Sequence, residues 1–343
     1  MTPKQQCLNL PVAANKHGVR VAYGAGGALA GLMAQENEVF DWIVDDTPGY
    51  AGQMFAGRQI RSSRELSVLS DGSARIVVCA HTSTSSKAIA RRLEEMGFRK
   101  GIDFSDGSLL AVQHMSRRLS VLLQRPFEET LWERVRLAVE GVNLRNLSGV
   151  AGSWLFVGLA ETANRDAISG AVAEAGVYQG ANAIASLRSS PPLRERLYFL
   201  LDSFEGLGKS SSLDPNSRTG EFADVNLSAL HEAIASYTNA FVCKGYFEET
   251  LPKLSDQRFA LAYIDCDLAE PARYCMEWFW DRLTNGGFLL IHDYWFPDFQ
   301  LPAGSPEPFR GIKTVADQFL AGKRARFVVL PETTHLVIRK EEG

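Results

Sequence analysis

Short apolar runs, glycine-bearing turns and stretches of helical spacing alternate along this chain, the pattern that builds a parallel sheet covered by helices. The pattern occurs twice. In the first unit, VRVAY at residues 19–23 predicts a strand, GAGG at 24–27 a tight turn and ALAGLMAQ a helix. Residues 39–44 (VFDWIV) predict a second strand closed by Asp45 and Asp46, and residues 74–79 (ARIVVC) a third that leads into the helix KAIARRLEEMGF. This unit closes near residues 104–107 with about three strands.

From about Leu109 to Val142 the apolar spacing becomes helical, in SLLAVQHMSRRLSVLL and then FEETLWERVRLAV, with Pro126 separating two helices. This connector is either a structural bridge or a lid over the second unit. That unit starts near Gly170, with strands predicted at 171–175, 197–201, 261–264 and 288–291. Two later apolar runs, 326–330 and 335–338, predict an antiparallel hairpin through Pro331-Glu332-Thr333-Thr334. GKSSSLDPNSRTG at 208–220 reads as a loose polar surface loop. The expected fold is α/β, divided into a small N-terminal unit (1–107), a helical connector (108–150) and a larger doubly wound unit (151–343).

Composition narrows the class. At 343 residues the chain is long enough for two domains. Hydrophobic residues at 45% and charged residues at 22% supply a core and a solvated surface, which excludes a disordered or fibrous protein. With 36 basic against 40 acidic residues there is no cationic excess to offset a phosphate backbone, so nucleic acid is not an expected partner. Five cysteines, an odd count without a CxxC pair, argue against a disulfide framework and for a reducing compartment. The start lacks the apolar centre of a secretion signal, and apolar stretches such as 154–160 are far too short to cross a bilayer. A cytoplasmic protein without membrane partners is expected.

The chemistry concentrates at the ends of predicted strands, where open parallel sheets bind ligands. EAGVYQG (174–180) places two glycines where the first strand of the second unit turns into a helix. Asp202 ends the next strand, 22 residues after Gly180, where an acid accepts hydrogen bonds from a ribose diol. Simple turn chemistry or a helix cap accounts for each feature singly. Asp265 and Asp267 follow the third predicted strand, and His292-Asp293 the fourth. Asp265, His292 and Asp293 at adjacent strand ends suit general-base work or an oxygen-rich metal site. In the first unit, Gly24, Gly26 and Asp45 come close to a dinucleotide fingerprint, although Leu29 stands where a third small residue belongs. That unit binds a phosphate or serves as a docking module; His81 and Lys87 are ligand contacts or simply solvated residues.

The run from about Ala173 to Lys340 resembles the macrocin O-methyltransferase family of S-adenosylmethionine-dependent enzymes, which methylate sugar hydroxyls on natural products. The matching pieces occur in the family's order: EAGVYQG, LLDSFEGL (200–207), KGYFEETLP (244–252), YIDCDLAEP (263–271), LTNGGFLLIHDYW (283–295) and GIKTVADQFL (311–320). The resemblance implies a doubly wound methyltransferase sheet. Glu174, Gly176 and Gly180 would line the methionine portion of the cofactor. Asp202 would hold the ribose, with Ser203 and Phe204 beside the adenosine and Gly245, Tyr246 and Phe247 on the adenine side. Asp265, His292 and Asp293 match the family's Mg2+ ligands, with Asp265 also the base. Self-association follows from family precedent. The N-terminal unit resembles small Rossmann-type domains that precede sugar acyltransferases and accompany some sugar methyltransferases.

One departure matters. The family's DDY is His292-Asp293-Tyr294 here, and imidazole suits Mn2+, Fe2+ or Zn2+ better than Mg2+. The readings are a softer metal, a weakened Mg2+ site, or no metal with His292 as the base. The expected activity is methyl transfer to a hydroxyl of a sugar or glycosylated natural product. The alternatives are an NAD(P)-linked oxidoreductase using Gly24, Gly26 and Asp45, which lacks a Tyr-x-x-x-Lys pair near that fingerprint, or a silent methyltransferase-fold scaffold.

Overall fold

The computed structural model describes residues 18–34, 38–69, 72–80, 83–127, 130–215, 217–305 and 309–341. Its first sheet holds β1 (Val19–Tyr23), β2 (Trp42–Val44), β3 (Met54–Phe55), β4 (Arg58–Arg61), β5 (Ala74–Val78) and β6 (Phe104–Asp106). Their order is β3-β4-β2-β1-β5-β6, and β1 pairs in parallel with both β2 and β5. This corrects the expectation of about three strands. The added strands β3, β4 and β6 are two to four residues long, too short to register as apolar runs. The helices α1 (Gly27–Met33) and α2 (Ser83–Glu95) follow β1 and β5.

Three helices link the sheets: α3 (Gly107–Leu123), α4 (Trp132–Glu140) and α5 (Gly149–Arg165). Pro126 separates α3 from α4 as its missing N–H requires. α5 directly precedes the strand expected near Gly170. In α5, 14 of 17 residues are buried, so it has no polar face and no amphipathic period to read.

The second sheet holds β7 (Ala171–Ala175), β8 (Tyr198–Asp202), β9 (Ala240–Lys244), β10 (Phe259–Ile264), β11 (Leu283–Ile291), β12 (Ala325–Leu330) and β13 (His335–Lys340). Their order is β12-β13-β11-β10-β7-β8-β9. The five strands from β7 to β11 pair in parallel, and β13 runs antiparallel to both β11 and β12, the predicted hairpin. The helices α6 (Ala181–Ser189), α7 (Pro191–Glu195), α8 (Leu227–Ile234), α9 (Phe247–Thr250), α10 (Ala269–Arg282) and α11 (Arg310–Leu320) complete the unit. From β7 the sheet grows outward through β8 and β9, then resumes at β10 on the other side of β7. That reversal is the topological switch point, where such sheets bind ligands beyond the carboxyl ends of their strands.

One buried apolar cluster runs from Ala22, Leu29 and Ile43 of the first sheet through Leu119 and Trp154 to Leu261 and Val337 of the second. The connector is thus packed into the core. The segment 208–220 is pinned as well, against its reading as a loose loop. Asp214 is 5% exposed, and its carboxylate accepts from Ala269 N at the start of α10 (3.1 and 3.2 Å) and from the Ser211 hydroxyl (3.0 Å). Cys79, Cys243, Cys266 and Cys275 are free. No helix among the described residues is long and apolar enough to cross a membrane.

Candidate functional site

The turn after β7 decides the geometry of the switch point. Gly176 has φ +95°, and a Cβ there would lie 1.7 Å from the Asp265 carbonyl oxygen. Only glycine lets the end of β7 lie against the end of β10 in this way. Gly176 N donates to Leu201 O, and Asp265 N to Ala175 O, which ties three strand ends together.

Asp202 at the end of β8 organises the same turn. Its Oδ2 accepts from Val177 N (2.7 Å) and Tyr178 N (2.9 Å), and its Oδ1 from Phe204 N (2.7 Å). An ionised carboxylate has about four acceptor positions, so backbone amides use most of them. Glu174 is 2% exposed and accepts from the Tyr198 hydroxyl at 2.6 Å. Burial pushes its carboxyl up to about 8, against the smaller opposing effect of its hydrogen bonds.

A cavity of about 470 Å³ lies over these groups, a size suited to one cofactor-sized ligand. Of the residues expected to hold a cofactor, Glu174, Gly176, Asp202, Ser203, Gly245, Tyr246 and Phe247 line it. Gly180 and Phe204 do not. Gly180 caps α6 in the left-handed region, and Phe204 is buried beneath the turn.

Asp265, His292 and Asp293 line the same cavity, and one ligand atom from each lies within 4.8 Å of the others. His292 Nδ1 is 2.9 Å from Asp265 Oδ1 and 3.4 Å from Asp293 Oδ1. Burial opposes a charge on this imidazole, but the two carboxylates outweigh it and hold its pKa well above 6.5. Burial likewise opposes ionisation of Asp265, and the His292 charge outweighs it, so Asp265 stays below the usual carboxylate range.

Sequence reasoning missed the groups behind this cluster. The Tyr263 hydroxyl donates to Asp265 Oδ2 at 2.8 Å and stands 3.2 Å from both Ser148 Oγ and His335 Nε2. Tyr263 precedes Asp265 by two residues, so strand alternation already puts both side chains on one face. His335 comes from β13, 72 residues beyond Tyr263, with no local signal. Its ring is 4.6 Å from that of His292, and burial, then the His292 charge, drives its pKa well below 6.5. Asp267 is raised far above the carboxylate range by burial and by Asp293 and Asp265. Both Asp267 (φ +61°) and Asp293 (φ +56°) occupy the left-handed region, a strain that collects at functional sites.

In the first unit Asp45 repeats the part of Asp202: it accepts from Ala25 N (2.6 Å) and Thr47 N (2.7 Å). The helix after its glycine turn is only seven residues long. Lys87 is exposed on α2, and His81 lies outside the described residues.

Comparison with known proteins places these features. Residues 156–311 match the family model for macrocin O-methyltransferase (TylF). A 4'-O-methyltransferase of 8-demethyl-8-(2,3-dimethoxy-alpha-L-rhamnosyl)-tetracenomycin C from Streptomyces olivaceus is 30% identical over 148 residues, 39% of this chain and 56% of that protein. Mycinamicin III 3''-O-methyltransferase from Micromonospora griseorubida is 27% identical over 156 residues, 40% of this chain and 60% of the relative. The chain thus spans less than two thirds of the length of these relatives. Among solved structures, the O-methyltransferase NovP is 18% identical with a TM-score of 0.49, covering 68% of this chain and 100% of its own. The calicheamicin methyltransferase CalS11 is 20% identical with a TM-score of 0.43, covering 61% and 91%. The oxidoreductase alternative draws no support from these relatives or from the geometry around Asp45. Over residues 156–311, the chain is similar to the macrocin O-methyltransferase family.

Proposed function

We propose that this protein is an S-adenosylmethionine-dependent O-methyltransferase that acts on a hydroxyl of a sugar or a glycosylated natural product. The observation that carries the reading is a single cavity with a nucleoside-type turn at one end and Asp265, His292 and Asp293 at the other. The curated relatives, named as methyltransferases of sugar-bearing natural products, support the choice of acceptor.

In this reading Glu174 and the Gly176 turn receive the methionine portion, and Asp202 and Ser203 face the ribose. Gly245, Tyr246 and Phe247 wall the adenine side. The cofactor supplies an electrophilic methyl on a sulfonium. Methyl transfer breaks the S–CH3 bond, forms an O–CH3 bond and releases the hydroxyl proton. Asp265 is the group that receives this proton, and its low pKa is sufficient, because the hydroxyl becomes strongly acidic as its oxygen gains the methyl. Tyr263 holds Asp265 from behind, so the carboxylate meets the acceptor in one orientation.

The donor set also fits a divalent cation. Two carboxylates and an imidazole converge within 4.8 Å, a set that suits Mn2+, Fe2+ or Zn2+ better than Mg2+. Such an ion would orient acceptor oxygens and stabilise a developing alkoxide. Asp265, His292 and Asp293 would hold it, the imidazole giving up its proton to do so.

The test is calorimetry with S-adenosylhomocysteine, followed by turnover of a panel of glycosides with S-adenosylmethionine after chelation and after return of Mn2+ or Mg2+. Asp265→Asn should lower turnover by about 10²–10⁴-fold and leave S-adenosylhomocysteine affinity within about threefold. Retained turnover would remove Asp265 from the role of base. Cofactor binding with no turnover of any glycoside would favour the scaffold alternative.

A further inference from the structure

The methyltransferase reading leaves the N-terminal unit without a task, and two separate contacts give it one. The first is the loop that leaves the site. After His292 and Asp293 the chain runs outward to Ser305 and returns to the cavity at Phe309. Its outer part docks on the first sheet's β3–β4 region. Ala303 N donates to Gln53 Oε1 at 2.6 Å, and Gln53 Nε2 donates back to Ala303 O at 3.5 Å. The Tyr50 hydroxyl lies 2.8 Å from Ser305 Oγ, and Phe55 meets Phe299 edge to face at 5.1 Å. The second contact is a narrow slot of about 30 Å³ between the two sheets. There the carboxyl end of β5 (Val78–Ala80) and Ser108 of α3 face Ser148, Thr333 and His292. The slot and the large cavity share Leu147, Ser148 and His292.

Both sheets therefore present their carboxyl ends to one centre. The cavity of about 470 Å³ is of cofactor size, and the slot beside His292 adds to it a wall that belongs to the first sheet and α3. The described residues lining the slot include three hydroxyls (Ser108, Ser148, Thr333), the His292 imidazole and the Glu332 carboxyl, and neither lysine nor arginine. These groups can exchange hydrogen bonds with the hydroxyls of a neutral polyol, whereas the one cationic side chain there, His292, is already held by Asp265 and Asp293 and leaves a phosphate no free cation.

We infer that the N-terminal unit forms the acceptor half of the site: it anchors the 293–305 loop and, with Ser108, receives a hydroxyl of a neutral sugar in the slot across from His292. Gln53 and Tyr50 are positioning residues that act through the loop. The inference rests on the methyltransferase reading for the identity of the centre.

The experiment uses the full chain saturated with S-adenosylhomocysteine and methyl α-L-rhamnoside as a neutral hexoside probe. Saturation-transfer NMR reads the probe, and calorimetry reads the cofactor. The wild type should transfer saturation to the rhamnoside. Gln53→Ala should lose at least about fivefold of that signal with cofactor affinity within twofold. Gln53→Glu, which still accepts from Ala303 N, should keep most of it, and Ser305→Ala should fall between. With a turned-over acceptor, Gln53→Ala should raise acceptor KM and leave kcat unchanged. An unaltered rhamnoside signal in Gln53→Ala overturns the inference while leaving the methyltransferase reading intact. So does a wild type that binds the cofactor but prefers uridine monophosphate to the hexoside, or binds neither. A wild type that fails to bind S-adenosylhomocysteine instead sinks the methyltransferase reading. In that case hydrogen exchange still judges the anchor, since residues 295–305 should exchange about tenfold faster in Gln53→Ala, and equal exchange refutes it.

Discussion

Burial raises the Glu174 carboxyl to about 8, so at pH 7 a largely neutral acid faces the place proposed for the cofactor's amino acid end. A ligand ammonium favours the carboxylate form. Binding of S-adenosylhomocysteine at pH 7 should therefore release roughly half a proton or more, read by calorimetry in buffers of different ionisation enthalpy. Heats that do not depend on the buffer would exclude this. The same shift makes a stability statement. The pKa in the fold lies above the ordinary 4.5, so the folded chain holds its proton more tightly than the unfolded one. That contribution is complete below about pH 4.5 and is lost as pH rises through about 8, on the order of a few kcal/mol. Urea unfolding of Glu174→Gln at pH 5 and pH 8.5 should show a flatter loss than the wild type. At this scale the sequence was legible where a polar group lining the cavity stands at or next to a strand's carboxyl end, as Glu174, Asp202, Asp265, His292 and Asp293 do. Tyr263 and His335 were not, because their value comes from what their strands bring near Asp265.

The turn after β7 shows how one carboxylate can set the shape of an element. Asp202 holds three backbone amides, so Asp202→Ala should cost about 1–3 kcal/mol of stability and weaken S-adenosylhomocysteine about tenfold or more. Weaker binding with unchanged unfolding would mean that the carboxylate serves the ribose and not the turn. The strands β7, β8, β10 and β11 were readable because strands buried on both faces appear as unbroken apolar runs. Edge strand β9 has the apolar run Ala240–Cys243 as well, but its residues are all partly or fully exposed, and it is absent from the strands predicted by sequence. α5 fails for the opposite reason, since burial on all sides erases the periodicity by which helices are recognised.

For the whole molecule, the repeated strand-turn-helix pattern pointed to two units, but their fusion left no local trace. The Thr333 hydroxyl reaches Met115 Sδ at 3.2 Å across 218 residues of sequence, and Arg118 reaches Val329 O at 3.4 Å. α1 packs on the closing turn so tightly that a Cβ at Gly31 would lie 2.2 Å from the Pro331 carbonyl oxygen. Gly31→Ala should therefore cost about 1–3 kcal/mol. Scanning calorimetry should show this as a downward shift of one shared transition, which S-adenosylhomocysteine raises as a whole. A separate, ligand-insensitive transition for the first sheet would contradict the shared core.

The turn at Pro331–Thr333 also has a consequence for synthesis. The ribosome delivers a chain from its N-terminus at roughly 5–20 residues per second, so β1 and α1 emerge well before the turn that covers them. Until then Leu29, Ala30 and Leu32, all buried in the finished fold, lack part of their packing. A nascent chain halted after β9 should remain open to protease in its first hundred residues, and become resistant only once β13 has cleared the exit tunnel.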